Sequence, residues 1–144
     1  MAITDEKPLS LVHILSNRIG RAFYSEVEMK FGITIAEWRV MLTLRAEPGV
    51  SAAEITSRWA IEKMAVNRAI QRLVDNGTVS RTRDPEDRRS YRLALTAKGN
   101  KLYDRIAPTT NKRYAELISA VSGDELDTMV AALQKMIRRA EELN

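Results

Sequence analysis

Residues 51–99 read SAAEITSRWAIEKMAVNRAIQRLVDNGTVSRTRDPEDRRSYRLALTAKG, and this stretch decides the fold. Ser51-Ala-Ala-Glu54 is a capping box, in which the serine side chain and the glutamate three residues on satisfy each other's orphan amides. It starts a short helix over about residues 52–58. A brief turn near Trp59 to Ile61 leads into a second helix over about residues 62–76, which Asn76-Gly77 stops in a left-handed cap. That is the spacing of a helix-turn-helix. Beyond it, TVSRTR and SYRLALT alternate with period two and predict a two-stranded hairpin, with Tyr91, Leu93 and Leu95 on one face. A hairpin appended to a helix-turn-helix is a wing, and its tip is the charged knot Asp84-Pro85-Glu86-Asp87-Arg88-Arg89.

The second helix has two faces. Val66, Ala69/Ile70 and Leu73/Val74 share one that must pack inward. The opposite face carries Met64, Arg68, Gln71 and Asp75, with Ala65, Asn67 and Arg72 on its flanks and Lys63 at its start. Such a face suits a DNA major groove, where arginine grips guanine bidentately, asparagine grips adenine, and methionine or alanine touches a thymine methyl. At the wing tip, Arg88 and Arg89 project beyond any core of their own. Arginine suits a narrow, electronegative minor groove, and Asp87 is expected to hold one guanidinium. Ser51, Arg58, Arg81 and Arg83 are the candidate phosphate contacts. The plain alternatives, a wet helical hairpin and a solvated turn, compete for each element taken singly. A basic wing directly after a helix-turn-helix favours double-stranded DNA.

Charge agrees. The 144 residues carry a formal +4, and residues 58–92 hold nine Arg/Lys against five Asp/Glu, so the excess sits beside the helix pair. A local basic excess fits an anionic partner, although a solvated surface produces the same count. A composition 44% apolar and 29% charged is that of a globular chain able to bury a core. No apolar run approaches a membrane span, and the N-terminus MAITDEKPLS lacks a signal-peptide pattern, so a cytoplasmic protein is expected. Zero cysteines exclude disulfides, thiolate metal sites and thiol redox sensing. With one histidine, His13, and no phosphate loop or metal-ligand spacing, an enzyme is not expected, and neither a cofactor nor a metal.

Helical periodicity governs the rest. From residue 9 to about 30, Leu11/Val12, Leu15, Ile19, Ala22/Phe23 and Val27 form an amphipathic stripe ending at Gly32. Thr34-Ile-Ala-Glu37 and Ser122-Gly-Asp-Glu125 are two further capping boxes. The first opens a helix bearing Trp38, Met41, Leu42 and Leu44, which "EPG" at 47–49 stops. Thr96 caps a long helix that Pro108 is expected to kink or break. The last helix repeats Leu126, Met129/Val130, Leu133, Met136/Ile137 and Ala140. Stripes this long exceed what so small a core can bury, which predicts a homodimer with two recognition helices about one DNA turn, roughly 34 Å, apart. Packing within the chain competes for part of that surface.

Residues 51–99, with Ala-Glu-Trp-Arg-Val at 36–40 upstream, resemble the MarR family of winged-helix transcriptional regulators. DPEDRRSYRLALTAKG is similar to that family's D-P-x-D-x-R…L-T-x-x-G wing, and the layout of the whole chain is alike. The resemblance implies a mainly α fold with a small β-hairpin wing. A winged helix-turn-helix core over 34–99 would be flanked by dimerisation helices over 1–33 and 100–144, in one domain spanning 1–144. It also implies a homodimeric repressor on a pseudo-palindromic operator, released by a small-molecule effector. Arg89 matches the family's minor-groove arginine, Asp87 its acidic partner, and Lys63 to Arg68 the start of the recognition helix. Met64, Ala65 and Asn67 stand where the family often has small hydroxyl residues, so the base preference does not carry over. The missing cysteine excludes the thiol-oxidising branch.

An effector pocket is expected between the first helix, the second helix and the start of the long C-terminal helix. His13, Ser16 and Asn17 put polar groups on or beside the apolar face of the first, and Trp38 and Arg39 lie on the second. Polar groups beside an aromatic fit a small aromatic or carboxylate compound. Each has a plainer role open to it: interface histidine, core tryptophan, surface arginine. The competing function is a winged helix used as a protein-interaction module without specific DNA binding.

Overall fold

The computed structural model describes residues 7–143. Helix α1 (Pro8–Ile19) runs through a π-helical turn (Gly20–Tyr24) into α2 (Ser25–Phe31), which Gly32 closes at φ 66°. The expected single helix is thus present with one wide turn inserted. Helix α3 (Ile35–Ala46), α4 (Ala52–Trp59) and α5 (Lys63–Asp75) follow, then strands β1 (Val79–Arg83) and β2 (Tyr91–Leu95), α6 (Ala97–Ile118) and α7 (Gly123–Glu142). The architecture is mainly α with one small hairpin, as the sequence predicts.

All three capping boxes form. Thr34, Ser51 and Ser122 each accept a hydrogen bond from the N3 amide, and Glu37, Glu54 and Glu125 reach back to the N-cap amide. Ala60 makes the tight turn between α4 and α5 at φ 51°, and Gly77 ends α5 at φ 72°. β1 and β2 pair antiparallel with Val79 opposite Leu95 and Arg83 opposite Tyr91.

The chain divides between Thr110 and Asn111 into two units. In the first, Trp38, Met41 and Leu44 of α3, Ile55 of α4, and Val66, Ile70 and Leu73 of α5 form one buried cluster. Val79, Leu93 and Ile106 complete it. This is the inward face read from the sequence. Tyr103 of α6 lies against α3, stacked on Trp38 at 5.0 Å between ring centroids with the Arg45 guanidinium 4.7 Å from its ring. Arg45 also bonds Asn100 and Asp104, each at 2.9 Å, so α3 is fastened to the first half of α6.

The start of α6 is built into the wing root. The Thr96 hydroxyl donates to the carbonyls of Gly77 and Thr78 and accepts from the Gly99 amide, which caps the helix. Gly99 is required there because a Cβ at this position would run into the Thr78 carbonyl oxygen. The threonine and glycine of L-T-x-x-G therefore have separate physical jobs.

Pro108 does not end α6, which continues to Ile118, so of the expected kink or break the break is absent. Proline removes one amide donor and leaves the preceding turn one hydrogen bond short without forbidding helical φ. Among the described residues α1 and α7 have no buried side chain. Leu9, Leu11, Val12 and Leu15 lie exposed along α1, and Met129, Val130, Met136 and Ile137 along α7.

Candidate nucleic-acid interface

Helix α5 is amphipathic in the expected register. Val66, Ala69, Ile70 and Leu73 are buried. Lys63, Met64, Asn67, Arg68, Gln71 and Arg72 are exposed, with Ala65 half-buried. Met64 is 62% exposed. No side chain caps the first turn of α5, where the positive end of its dipole lies.

The exposed residues differ in how free they are. Arg68, at the centre of the face, has no hydrogen bond or ion pair among the described residues. Its neighbours on both flanks are tied down. On one side the Gln71 amide nitrogen donates to Asp75 at 2.8 Å, while its oxygen accepts from Arg81 of β1 at 3.1 Å. On the other, Arg72 Nε lies 3.2 Å from a carboxylate oxygen of Glu37. Gln71 and Arg72, expected as DNA contacts, thus serve first as links from α5 to the wing and to α3.

The wing tip is held by its own backbone. The Asp84 carboxylate accepts from the Glu86 amide at 2.9 Å and from Arg92 at 3.4 Å, and that amide, with lesser help from Arg92, holds its carboxyl below the usual range. The Asp87 carboxylate accepts from the Arg89 amide at 3.0 Å. Asp87 therefore fixes the loop through a backbone N–H; the expected guanidinium bond is absent, because the tight turn brings the amide within reach first. Arg83 donates to the Arg88 carbonyl at 2.8 Å. The guanidinium groups of Arg88 and Arg89 are exposed and free of protein partners among the described residues. Tyr91, expected on one face with Leu93 and Leu95, is 41% exposed and lies between Arg81 and Arg83, 5.6 and 5.5 Å from its ring. The hairpin extends past the core here, so the alternating pattern outlasts the surface it packs on.

Helix α5 and the hairpin share one cleft of about 450 Å³, lined by Ser51, Asn67, Gln71, Arg81, Asp87 and Arg89 among others. The Ser51 hydroxyl is engaged in its capping box and Arg58 pairs with Glu47 at 2.9 Å. Both remain at the surface beside α4.

The expected effector residues are not drawn together. His13, Ser16 and Asn17 are exposed on α1, and no hydrogen bond or ring contact joins their side chains to Trp38 or Arg39. Trp38 is 2% exposed and stacked on Tyr103, which makes it core. Arg39 stands 5.3 Å from the Trp59 ring, and its Nε is buried with no partner. Tyr24 is the residue sequence reading missed here: burial raises its pKa, and the charge of Arg39 opposes that rise. The π-helical turn that places it has no sequence signature. Among the described residues no cluster of three metal-binding side chains occurs, and no helix is long and apolar enough to cross a membrane.

The sequence model of the MarR family matches residues 31–90. The HTH-type transcriptional regulator YkoM of Bacillus subtilis is 31% identical over 136 residues, covering 90% of this chain and 86% of that protein. The chain belongs to the MarR family. Members are transcription regulators, not enzymes, and this is a MarR-family transcriptional regulator. The HTH-type transcriptional repressor Rv2887 of Mycobacterium tuberculosis is 26% identical, covering 94% of this chain and 98% of its own. Three solved structures share the fold. A MarR/EmrR family regulator from Acinetobacter sp. ADP1 superposes at TM-score 0.88 with 23% identity over 98% of this chain and 99% of its own. A mutant MarR from E. coli complexed with operator DNA gives 0.78, with 24% identity and coverage of 94% and 99%. PcaV from Streptomyces coelicolor, in complex with its natural ligand, gives 0.77 with 21% identity and coverage of 99% and 96%.

Proposed function

We propose that this MarR-family regulator is a repressor that binds a pseudo-palindromic operator as a homodimer and leaves it when a small aromatic or carboxylate ligand binds. The observation that carries the reading is the shared cleft, with the free Arg68 on the recognition helix and the free Arg89 on the wing. Arg68, Asn67, Met64 and Ala65 read base edges in the major groove; Arg88 and Arg89 enter the minor groove, with Asp87 shaping their loop. Lys63, Gln71, Arg72, Ser51, Arg58, Arg81 and Arg83 lie where backbone contacts would fall.

The exposed apolar residues of α1 and α7 support the homodimer, since an aqueous monomer gains nothing from two uncovered stripes. Repression is supported by the mycobacterial repressor relative, and operator binding by the E. coli complex. Ligand release is supported by PcaV and by Arg39, whose buried unpartnered Nε suits a carboxylate. His13, Ser16 and Asn17 stand on α1 as candidate polar contacts, and Trp38 joins them only if Tyr103 gives up its stack.

Selection of genomic fragments by the purified protein tests this reading. A pseudo-palindromic consensus is expected, and aromatic acids should release it; retention of fragments without any common sequence would overturn it.

A further inference from the structure

Glu37 is a buried carboxylate with two tasks, and the function proposed above uses neither directly. It sits at the third position of α3 with 2% of its side chain exposed. One oxygen, Oε2, accepts from the Thr34 amide at 2.9 Å and completes the capping box. The other, Oε1, lies 3.2 Å from Nε of Arg72 on the recognition helix. The cap and the ion pair between them occupy both carboxylate oxygens. Arg72 stands one turn beyond Arg68 on the exposed side of α5. Its Nε forms an ion-pair contact with Glu37, and its two Nη groups have no partner among the described residues. The planar guanidinium is thus held at one nitrogen by the buried carboxylate and leaves its Nη groups open to meet a phosphate.

We propose that Glu37 is a positioning residue for sequence-selective DNA binding. It anchors Arg72 so that the open edge of the guanidinium meets one operator phosphate, and this sets the register from which Arg68 reads its base. Phosphate contacts of this kind fix where the helix lies, while base contacts choose the sequence. Without Glu37, Arg72 keeps its full charge but not its direction. It then attracts any phosphate, and binding to unrelated DNA persists while the preferred site loses its advantage. Glu37 thus raises the ratio between specific and non-specific affinity.

The inference rests on the DNA-binding reading, and the test separates the two. Glutamine retains one carbonyl oxygen where glutamate has two, so Glu37→Gln can keep the cap or the arginine contact but not both, and never the charge pair. Affinities of the wild type, Glu37→Gln, Arg72→Gln and the double variant are measured by fluorescence anisotropy on the selected operator duplex and on a shuffled duplex, with thermal melts of each protein. Each single variant is expected to lower the operator-to-shuffled ratio about tenfold, and the double variant no further than either single, because one linkage is broken in all three. Glu37→Gln alone should hold or gain affinity for the shuffled duplex. Equal losses on both duplexes, or additive losses in the double variant, would make Glu37 merely structural and overturn the proposal. If Glu37→Gln does not fold, Arg72→Gln decides: an unchanged ratio there overturns it as well. A wild type without preference for the selected duplex overturns the DNA-binding reading and this inference together, whereas a selective wild type with an equally selective Glu37→Gln overturns this inference alone.

Discussion

Arg68 occupies the centre of the exposed face of α5 while its neighbours Gln71 and Arg72 are tied to other elements. A guanidinium with no internal partner there has its donors free for a base edge. Arg68→Ala should cost about 1–3 kcal/mol on the operator and relax preference at one base pair per half-site, measured by competition among single-substituted duplexes. A second residue acts through space it leaves empty. Gly99→Ala puts a methyl against the Thr78 carbonyl oxygen, so the wing root or the start of α6 must shift. A loss of about 1–3 kcal/mol in chemical denaturation is expected, in line with overpacking elsewhere. Asp84 supplies the pH dependence. Its carboxyl is held below 3.8 by the Glu86 amide first, so its ordering of the wing tip is complete above that value. It is lost only as the pH falls through the lower folded value. The Glu86 amide resonance should stay at its neutral-pH position down to the ordinary aspartate range and move below it.

At the scale of elements, the wing and α5 form a linked pair because Arg81 reaches from β1 to Gln71. An exposed hydrogen bond of this kind contributes little to global stability, but it fixes the angle at which Arg89 is offered. Arg89→Ala should weaken operator binding and lower the salt dependence of log K by roughly one per wing, as expected for one lost phosphate-like contact. Removing Arg81 first should shrink that effect, since the wing is then no longer aimed. Full additivity of Arg81→Gln and Arg89→Ala in salt titrations would count against the linkage.

For the whole molecule, the bare stripes on α1 and α7 are the main unresolved energy. Each half-exposed leucine or methionine forgoes about 1 kcal/mol of burial, and in the proposed dimer a second copy of the chain would remove that deficit on both sides at once. Light scattering should give twice the 16.3 kDa chain mass at micromolar concentration. A stable monomer that still binds a palindrome tightly would contradict the proposed assembly.

The sequence by itself determined the capped helix starts at Thr34, Ser51, Thr96 and Ser122, the turn at residues 59–61, the inward face of α5 and the hairpin with its charged tip. These are local properties: a capping box, a left-handed glycine and a period of 3.6 or 2 are satisfied by residues within a few positions of one another. The exposure of Met64 and the freedom of Arg68 followed from the same periodicity. What only tertiary structure decided depends on partners far apart in the chain. Glu37 reads as a cap until α5 brings Arg72 to its second oxygen. Gln71 reads as a base contact until β1 folds back with Arg81, and Tyr91 shares a face with Leu93 until the hairpin outruns the surface beneath it. Trp38 left the expected effector pocket for the same reason, because Tyr103 of α6 takes its face. Periodicity tells which way a side chain points; which of several polar groups it meets is fixed by the packing of elements, and no local pattern encodes that distance.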